Sequence, residues 1–190
     1  MNPEKAIVVV IDMQKLFDKG TWGVDSLHSI VPNIKKLTAF DSIVLKFIPA
    51  EKGSWKDHYK HFPEILNAEK ASLGLLEELA DIEKTAKAVY EKSSMGWNLD
   101  ENFDEKILGE KNTFILVGVE TDVCVLATLF YLIDKGYYVI IVKDAVTSSD
   151  LEAHKLCIDR LFPRFVGQVH LLDTTQVLNF LQTGEIDASI

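Results

Sequence analysis

Six short apolar segments recur along the chain, and each has the length and residue types of a β-strand. The first, AIVVVI, is continuously apolar and mostly β-branched, which is typical of a central parallel strand covered on both faces. The same reasoning predicts strands at residues 6–11, 42–48, 86–90, 113–117, 138–142 and 169–172.

The segments between these strands carry apolar residues at helical spacing. They predict helices at residues 25–40, 73–79, 99–108, 123–135, 149–162 and 174–181, and a loose tail after residue 183. Strands that alternate with helices indicate an α/β fold with a doubly wound, mainly parallel sheet and helices on both faces, a Rossmann-like three-layer arrangement. A chain of 190 residues without repeats or linkers fits a single domain over residues 1–190.

Composition restricts the partners that we expect. Twenty Lys and Arg against 29 Asp and Glu give a net charge of −9, which repels nucleic acids and anionic membranes. No apolar run reaches transmembrane length, and the N-terminal residues lack the layout of a signal peptide. Two cysteines suit a reducing compartment, so we expect a cytoplasmic protein in which Cys157 is a buried helix residue and not a disulfide partner.

The segment TFILVGVETDVCVLATLFYLID carries the strongest chemical signal. It predicts a buried strand, a tight turn at Gly118 and a helix that places Cys124 in its first turn. Unpaired N–H groups and the positive end of a helix dipole favour a thiolate at such a position. A nucleophile between a strand and a helix N-terminus is the geometry by which hydrolases expose one reactive atom. A buried, inert cysteine is the simpler alternative.

Two charged residues follow other predicted strands. Asp12 comes directly after residues 6–11, and Lys92 comes just after residues 86–90. Ligands of open α/β sheets bind at the carboxyl ends of the strands, so both side chains are expected near one crevice. Alone, Asp12 is equally well explained as a helix cap, and Lys92 as a solvated loop residue.

Together, IVVVIDMQKLF, VYEKSSMGW and LVGVETDVCVLATLFYLIDKGYYVIIVKDAV closely resemble the isochorismatase-like cysteine hydrolase family, which includes nicotinamidases, pyrazinamidases and N-carbamoylsarcosine amidases. The resemblance covers about residues 5–172 and implies a catalytic triad of Asp12, Lys92 and Cys124. It also implies a cis peptide between Val119 and Glu120, with the N–H groups of Glu120 and Cys124 forming an oxyanion hole. The implied enzyme is a cysteine-dependent hydrolase of a small amide that acts through a thioester.

Several further residues are candidates for binding. Phe17, Trp55 and Trp97 are expected to form an aromatic wall for a planar substrate, and Gln14, in the Asp-x-Gln pattern, to support the Asp12 loop. Nicotinamidases carry an Asp-x-His metal-binding pair after the second strand. The sequence departs from that pattern, so no cofactor is expected. A divalent ion bound by Asp57, His58 and His61 is the alternative.

Other functions stay open at this point. An isochorismatase-type hydrolase of another metabolite generally lacks the cysteine, and a nucleotide-binding module would need a glycine-rich phosphate loop, which is missing after Ile11 and Val117. A non-catalytic or thiol-sensing member of the fold would keep a low-pKa Cys124. The apolar helix at residues 123–135 and the family resemblance predict a homo-oligomer.

Overall fold

The computed structural model describes residues 1–98 and 104–186. Within them, six strands form one sheet in the order β3-β2-β1-β4-β5-β6, and every neighbouring pair is parallel. This confirms the predicted doubly wound α/β fold. The strands are β1 (Ala6–Ile11), β2 (Ser42–Phe47), β3 (Ala88–Lys92), β4 (Thr113–Val119), β5 (Tyr138–Thr147) and β6 (Val169–Leu172).

Helices connect the strands and cover the sheet. They are α1 (Leu27–Leu37), α2 (Trp55–His58), α3 (Pro63–Leu66), α4 (Ile82–Thr85), α5 (Glu105–Leu108), α6 (Leu126–Asp134), α7 (Leu151–Leu156) and α8 (Thr174–Thr183). No helix of the described residues is both long and apolar enough to span a membrane.

Two helix predictions differ from the structure, and a third lies partly outside the described residues. The segment 73–79 forms only a 3-10 turn at Glu77–Leu79, because the chain before it pairs with the loop after β1. The start of the predicted helix 99–108 lies outside the described residues, and α5 is its described part. The predicted helix 149–162 divides into α7, a π-helical turn at Cys157–Leu161 and a 3-10 turn at Phe162–Arg164.

The core consists of two layers on opposite faces of the sheet. Because side chains alternate along a strand, Val8 and Val10 belong to one layer, and Ile7, Val9 and Ile11 to the other. Every residue of β1 and of β4 is buried. The continuous apolar run at residues 6–11 therefore reflects burial on both faces, as the sequence predicted.

From β1 the chain adds β2 and β3 toward one edge of the sheet, and from β4 it adds β5 and β6 toward the other edge. The order of the strands therefore reverses between β1 and β4, which lie side by side. β4 extends two residues beyond its predicted end, so Gly118 lies in the strand and not in a turn. Its φ is +111°, and a Cβ atom there would lie 2.1 Å from the carbonyl oxygen of Ile11. The absence of a side chain thus lets the two central strands meet at the point where a doubly wound sheet binds its ligands.

A surface histidine joins the loop after β1 to the segment before α4. The imidazole of His28 forms hydrogen bonds with Asp18 at 2.7 Å and with Glu78 at 2.8 Å. These bonds, that to Asp18 first, raise the pKa of His28. His28 therefore ties together two loops that flank the carboxyl edge of the sheet.

Candidate active site

Asp12 leaves the end of β1 in an unusual backbone conformation. Its φ is +52°, in the left-handed region that few residues other than glycine adopt, and its side chain is fully buried. The Asp12 N–H donates to the carbonyl of Leu45 on the neighbouring strand at 3.1 Å. Such strain is retained where the surrounding structure fixes the residue, and it is concentrated at functional sites.

Lys92 is the last residue of β3 and not a loop residue beyond it. Its ammonium donates to Asp12 Oδ2 at 2.7 Å and to the carbonyls of Ser94 at 3.2 Å and Met95 at 3.0 Å, so its three protons are all used. It also lies 5.6 Å from the ring centroid of Phe47 on β2. β2 separates β3 from β1, so a side chain as long as lysine is needed to reach Asp12 from β3.

The ion pair of Asp12 and Lys92 is almost completely withdrawn from water. Burial raises the pKa of Asp12, and the Lys92 ammonium opposes that rise. Burial alone would lower the pKa of Lys92, but the charge of Asp12 and the hydrogen bond to it raise that pKa. The Asp12 carboxylate is thus a stronger base than an exposed one, beside a lysine that stays charged.

Cys124 lies in a π-helical turn, Thr121–Val125, that leads from β4 into α6. Its side chain is buried, and burial, followed by the charge of Asp12, raises the pKa of the thiol although Lys92 lowers it. The expected low-pKa thiolate is therefore wrong, because loss of water outweighs the favourable position at a helix start. Cys157 is buried elsewhere in the core, as predicted, and both cysteines are free.

The turn that carries Cys124 is fixed by several polar contacts. The peptide between Val119 and Glu120 is cis, as the resemblance implied. Ser149 Oγ donates to a Glu120 carboxylate oxygen at 2.8 Å, and the Thr121 hydroxyl lies 2.8 Å from His154 Nδ1. These contacts join the turn to Ser149, between β5 and α7, and to His154 on α7.

Gln14 connects three segments around the site. Its amide donates to the carbonyls of Phe47 at 3.0 Å and Leu73 at 2.8 Å, and its oxygen accepts from the Phe47 N–H at 2.7 Å. The residue is fully buried, so each of these bonds is shielded from water. Gln14 therefore holds the loop that follows Asp12 against the end of β2.

A cavity of about 200 Å³ opens beside Cys124 and is mostly apolar. Its volume suits a ligand smaller than a typical drug. It is lined by Phe17, Trp22, Phe47, Trp55, His58, Phe62, Met95, Glu120, Val123 and Cys124. Phe17 and Trp55 thus lie where the sequence predicted, although substrate contact by either one stays a prediction.

Trp97 does not line this cavity. It is fully buried in the other core layer, where its ring lies 5.7 Å from Tyr90 and 6.2 Å from Phe114. The backbone N–H of Trp97 donates to the hydroxyl of Thr128 on α6, and a Cβ at Gly96 would lie 3.0 Å from the Ala127 carbonyl oxygen. The loop after Lys92 therefore packs on α6, and the assignment of Trp97 to substrate binding is corrected.

Sequence reasoning missed the residue at the centre of the aromatic wall. Trp22 has ring centroids 6.2 Å from Phe17, 5.8 Å from Phe47, 5.9 Å from Phe62 and 6.1 Å from His58. Phe17 and Trp22 follow β1, Phe47 ends β2, and His58 and Phe62 lie at the end of α2 and just after it, so no periodic pattern relates these residues. The concentration of aromatic residues after β1 and β2 was the signal that pointed to this region.

The structure separates the three residues considered for a metal ion. His58 lines the cavity, whereas Asp57 is exposed and paired with Lys60, and His61 is exposed. Across residues 1–98 and 104–186, no group of three or more His, Cys, Asp or Glu side chains is placed to hold a metal ion. This donor set does not fit the metal centre of nicotinamidases.

A larger depression, of about 550 Å³, lies at the opposite edge of the sheet. Ala6, Asp41 and Lys87, at the amino ends of β1, β2 and β3, contribute to its lining. It is remote from Cys124 and Asp12, which lie at the carboxyl ends. The smaller cavity is therefore the candidate active site, because Cys124 lines it and because it lies at the carboxyl ends of the strands.

Comparison with known proteins identifies the family. The model of the isochorismatase domain matches residues 6–174, most of the chain, so the protein belongs to the isochorismatase family. A secreted isochorismatase effector, Isc1, of Phytophthora sojae is 42% identical over 52 residues, which are 27% of this chain and 25% of that protein. Isochorismatase family protein 2B of Dictyostelium discoideum is 33% identical over 110 residues, 54% of this chain and 48% of that one.

Solved structures share the fold over nearly the whole chain. A cysteine hydrolase from Pseudomonas syringae pv. phaseolicola 1448A has a TM-score of 0.78 at 20% identity and covers 97% of this chain and 96% of its own. A pyrazinamidase/nicotinamidase from Streptococcus mutans UA159 has a TM-score of 0.71 at 22% identity, with 86% and 99% covered. These likenesses show that the chain shares the fold of those structures.

Proposed function

We propose that the protein is a cysteine hydrolase that cleaves the C–N bond of a small amide through a thioester intermediate. The observation that carries this proposal is the buried ion pair of Asp12 and Lys92, whose charges both act on the thiol of Cys124 at the mouth of an apolar cavity. A nucleophile, a base and a fixed cation at one crevice are the groups that acyl transfer needs.

The first step follows from the pKa directions. Because burial raises the pKa of Cys124, the sulfur is protonated at rest. Asp12 takes this proton as the sulfur attacks the amide carbon, and its own raised pKa makes it a better base for that transfer. Lys92 remains an ammonium ion throughout, and its positive charge balances the negative charge that passes between Asp12 and Cys124.

The attack turns the amide oxygen into an oxyanion, which we place on the backbone N–H groups of Glu120 and Cys124. One such donor stabilises a transition state by roughly 3 kcal/mol. Asp12 then gives its proton to the departing nitrogen, and the C–N bond breaks. Water, deprotonated by the Asp12 carboxylate, attacks the thioester, and the carboxylic acid leaves as the thiol is restored.

Ammonia release from a panel of primary amides, with a coupled assay, tests the proposal. We expect turnover of at least one aromatic or aliphatic amide, and a loss of roughly a thousandfold or more in Cys124→Ala and in Asp12→Asn. Asparagine tolerates the left-handed backbone at position 12, so the second variant removes the charge without changing the fold.

Cys157→Ala is the matched control, since it removes the other buried cysteine but leaves the cavity unchanged. Equal activity of the wild type and Cys124→Ala, or equal losses in the two cysteine variants, would contradict the assignment.

Assembly of the chain into a homo-oligomer stays a separate proposal. Phe130 on α6 and the nearby Tyr138 are 36% and 41% exposed, and light scattering against the 21.4 kDa chain mass decides whether copies associate.

A further inference from the structure

The turn that carries Cys124 is bonded to the segment after β5 through consecutive side chains. We call residues 120–125 the nucleophile turn. Three successive side chains of this turn each form a hydrogen bond with a different residue of the segment 148–154. The pairs are Glu120 with Ser149 at 2.8 Å, Thr121 with His154 at 2.8 Å, and Asp122 with Ser148 at 2.5 Å. Because the three pairs use consecutive residues, they fix the backbone of the turn and not one side chain alone.

The sheet brings the two partners of these pairs together. β4 and β5 end side by side, with Val119 in register with Thr147. The nucleophile turn and the segment that begins at Ser148 therefore leave the sheet from neighbouring points. The Asp150 side chain then caps the start of α7 by accepting from two backbone N–H groups, which fixes the position of His154 one turn later.

The backbone of the nucleophile turn surrounds the sulfur closely. The carbonyl of Glu120 accepts from the N–H groups of Val123 at 3.1 Å and Val125 at 3.0 Å. These two donors flank Cys124, so a rotation of the peptide after Glu120 would shift the backbone on both sides of the nucleophile. Thr121 and Ser148 are buried, so water does not compete for their hydroxyl groups.

We propose that three residues of the segment after β5 are positioning residues, namely Ser148, Ser149 and His154. They act through the nucleophile turn and orient the N–H groups of Glu120 and Cys124 toward the developing oxyanion. The described lining of the cavity includes none of the three, so they do not act on the substrate themselves. This inference rests on the proposed thioester chemistry, and it adds the residues that orient the oxyanion hole.

Two reagents separate the orientation of the oxyanion hole from the reactivity of the sulfur. Iodoacetamide alkylates Cys124 by displacement of iodide at a methylene carbon, so no oxyanion develops. p-Nitrophenyl acetate acetylates the same sulfur at a carbonyl carbon, whose oxygen carries a negative charge until p-nitrophenolate leaves. In both reactions the sulfur loses its proton to Asp12. The ratio of the acetylation rate to the alkylation rate therefore measures oxyanion stabilisation.

Cys157→Ala is the parent for every variant, so that Cys124 is the remaining thiol of the chain. Acetylation of the parent that also carries Cys124→Ala is subtracted as the background from lysines. Ser148→Ala, Ser149→Ala and His154→Leu should each lower the ratio about tenfold to hundredfold, while the alkylation rate stays near that of the parent. Ser149→Thr and His154→Asn keep a hydrogen-bonding group and should restore most of the ratio.

Ser26→Ala is the matched control. The hydroxyl of Ser26 lies 2.6 Å from the hydroxyl of Thr147, so this variant removes a hydrogen bond from the last residue of β5 that does not reach the nucleophile turn. The ratio should be unchanged. Thermal melts verify that all the variants are folded.

The inference is overturned if the three variants keep the ratio of the parent, if acetylation and alkylation slow together, or if Ser26→Ala lowers the ratio as much as they do. A parent that p-nitrophenyl acetate does not acetylate at Cys124 overturns it as well. Failure of the proposed amide hydrolysis would look different. In that case Cys124 would react with both reagents and the ratio would respond to the variants, but wild-type protein would release no ammonia from any amide.

Discussion

The close approach of β1 and β4 predicts that Gly118→Ala is strongly destabilising. Alanine at φ +111° costs of order 1–3 kcal/mol in backbone strain. Its Cβ would also lie 2.1 Å from the Ile11 carbonyl oxygen and 2.9 Å from the Ile11 carbonyl carbon and nitrogen. Forcing an extra carbon into such packing costs about 1–3 kcal/mol more.

The free energy of unfolding should therefore fall by about 2–6 kcal/mol, which lowers Tm by at least about 5 °C for a chain of this size. Turnover should fall further than the folded fraction does, because Ile11 directly precedes Asp12 and any shift of Ile11 moves the carboxylate. Urea unfolding followed by circular dichroism and the ammonia assay measure the two effects separately.

Gly136→Ala is the matched control. Its φ is +85°, and a Cβ there would meet no atom within 4 Å, so it carries the backbone strain without the clash. The entropic gain of replacing glycine in the unfolded chain is common to both variants and cancels in their difference. If Gly118→Ala costs no more stability than Gly136→Ala, then the contact with Ile11 does not constrain the fold and the reasoning is refuted.

Three further predictions concern single side chains. Gln14→Leu removes three hydrogen bonds to backbone groups of Phe47 and Leu73 and should lower the free energy of unfolding by about 3 kcal/mol in urea titrations, whereas an unchanged midpoint would show that the bonds are dispensable. Lys92→Met removes the charge that lowers the pKa of Asp12, so the acid limb of the kcat/KM profile should move to higher pH, and an unmoved limb would contradict the pairing. His28→Gln should cost at most about 1 kcal/mol, because the side chain is half exposed. Since the pKa of His28 is raised on folding, this cost is greatest below pH 6.5 and disappears as pH rises through the raised value, and a loss that persists at high pH would count against it.

The sequence predicted the strands better than it predicted the loops. Strands 6–11 and 169–172 have the predicted bounds, and the other four predicted strands are present. The central strands were visible locally because burial on both faces leaves a continuous apolar run. The extension of β4 through Gly118 was not visible, since it depends on how closely another strand approaches.

At the site, the positions of Asp12 and Lys92 followed from strand ends alone, and their ion pair agrees with that placement. Trp97 was misplaced because a loop residue after a strand can pack on either face of the sheet. The packing of Gly96 on α6 decides which face Trp97 joins. The state of Cys124 was misjudged because a helix-start argument is local, whereas burial of the thiol depends on the whole fold.

The origin of Lys92 on β3 makes the candidate site depend on an edge strand of the sheet. β3 lies at one end of the strand order and pairs with β2 alone, and Val89 on it is 38% exposed. Strands at an edge open locally with less free energy than central ones. Separation of β3 would withdraw the ammonium while β1 and β4 remained paired, leaving Asp12 and Cys124 in a folded core without their cation. The enzyme would then lose activity when the edge of the sheet frays, and this inactivation would precede global unfolding.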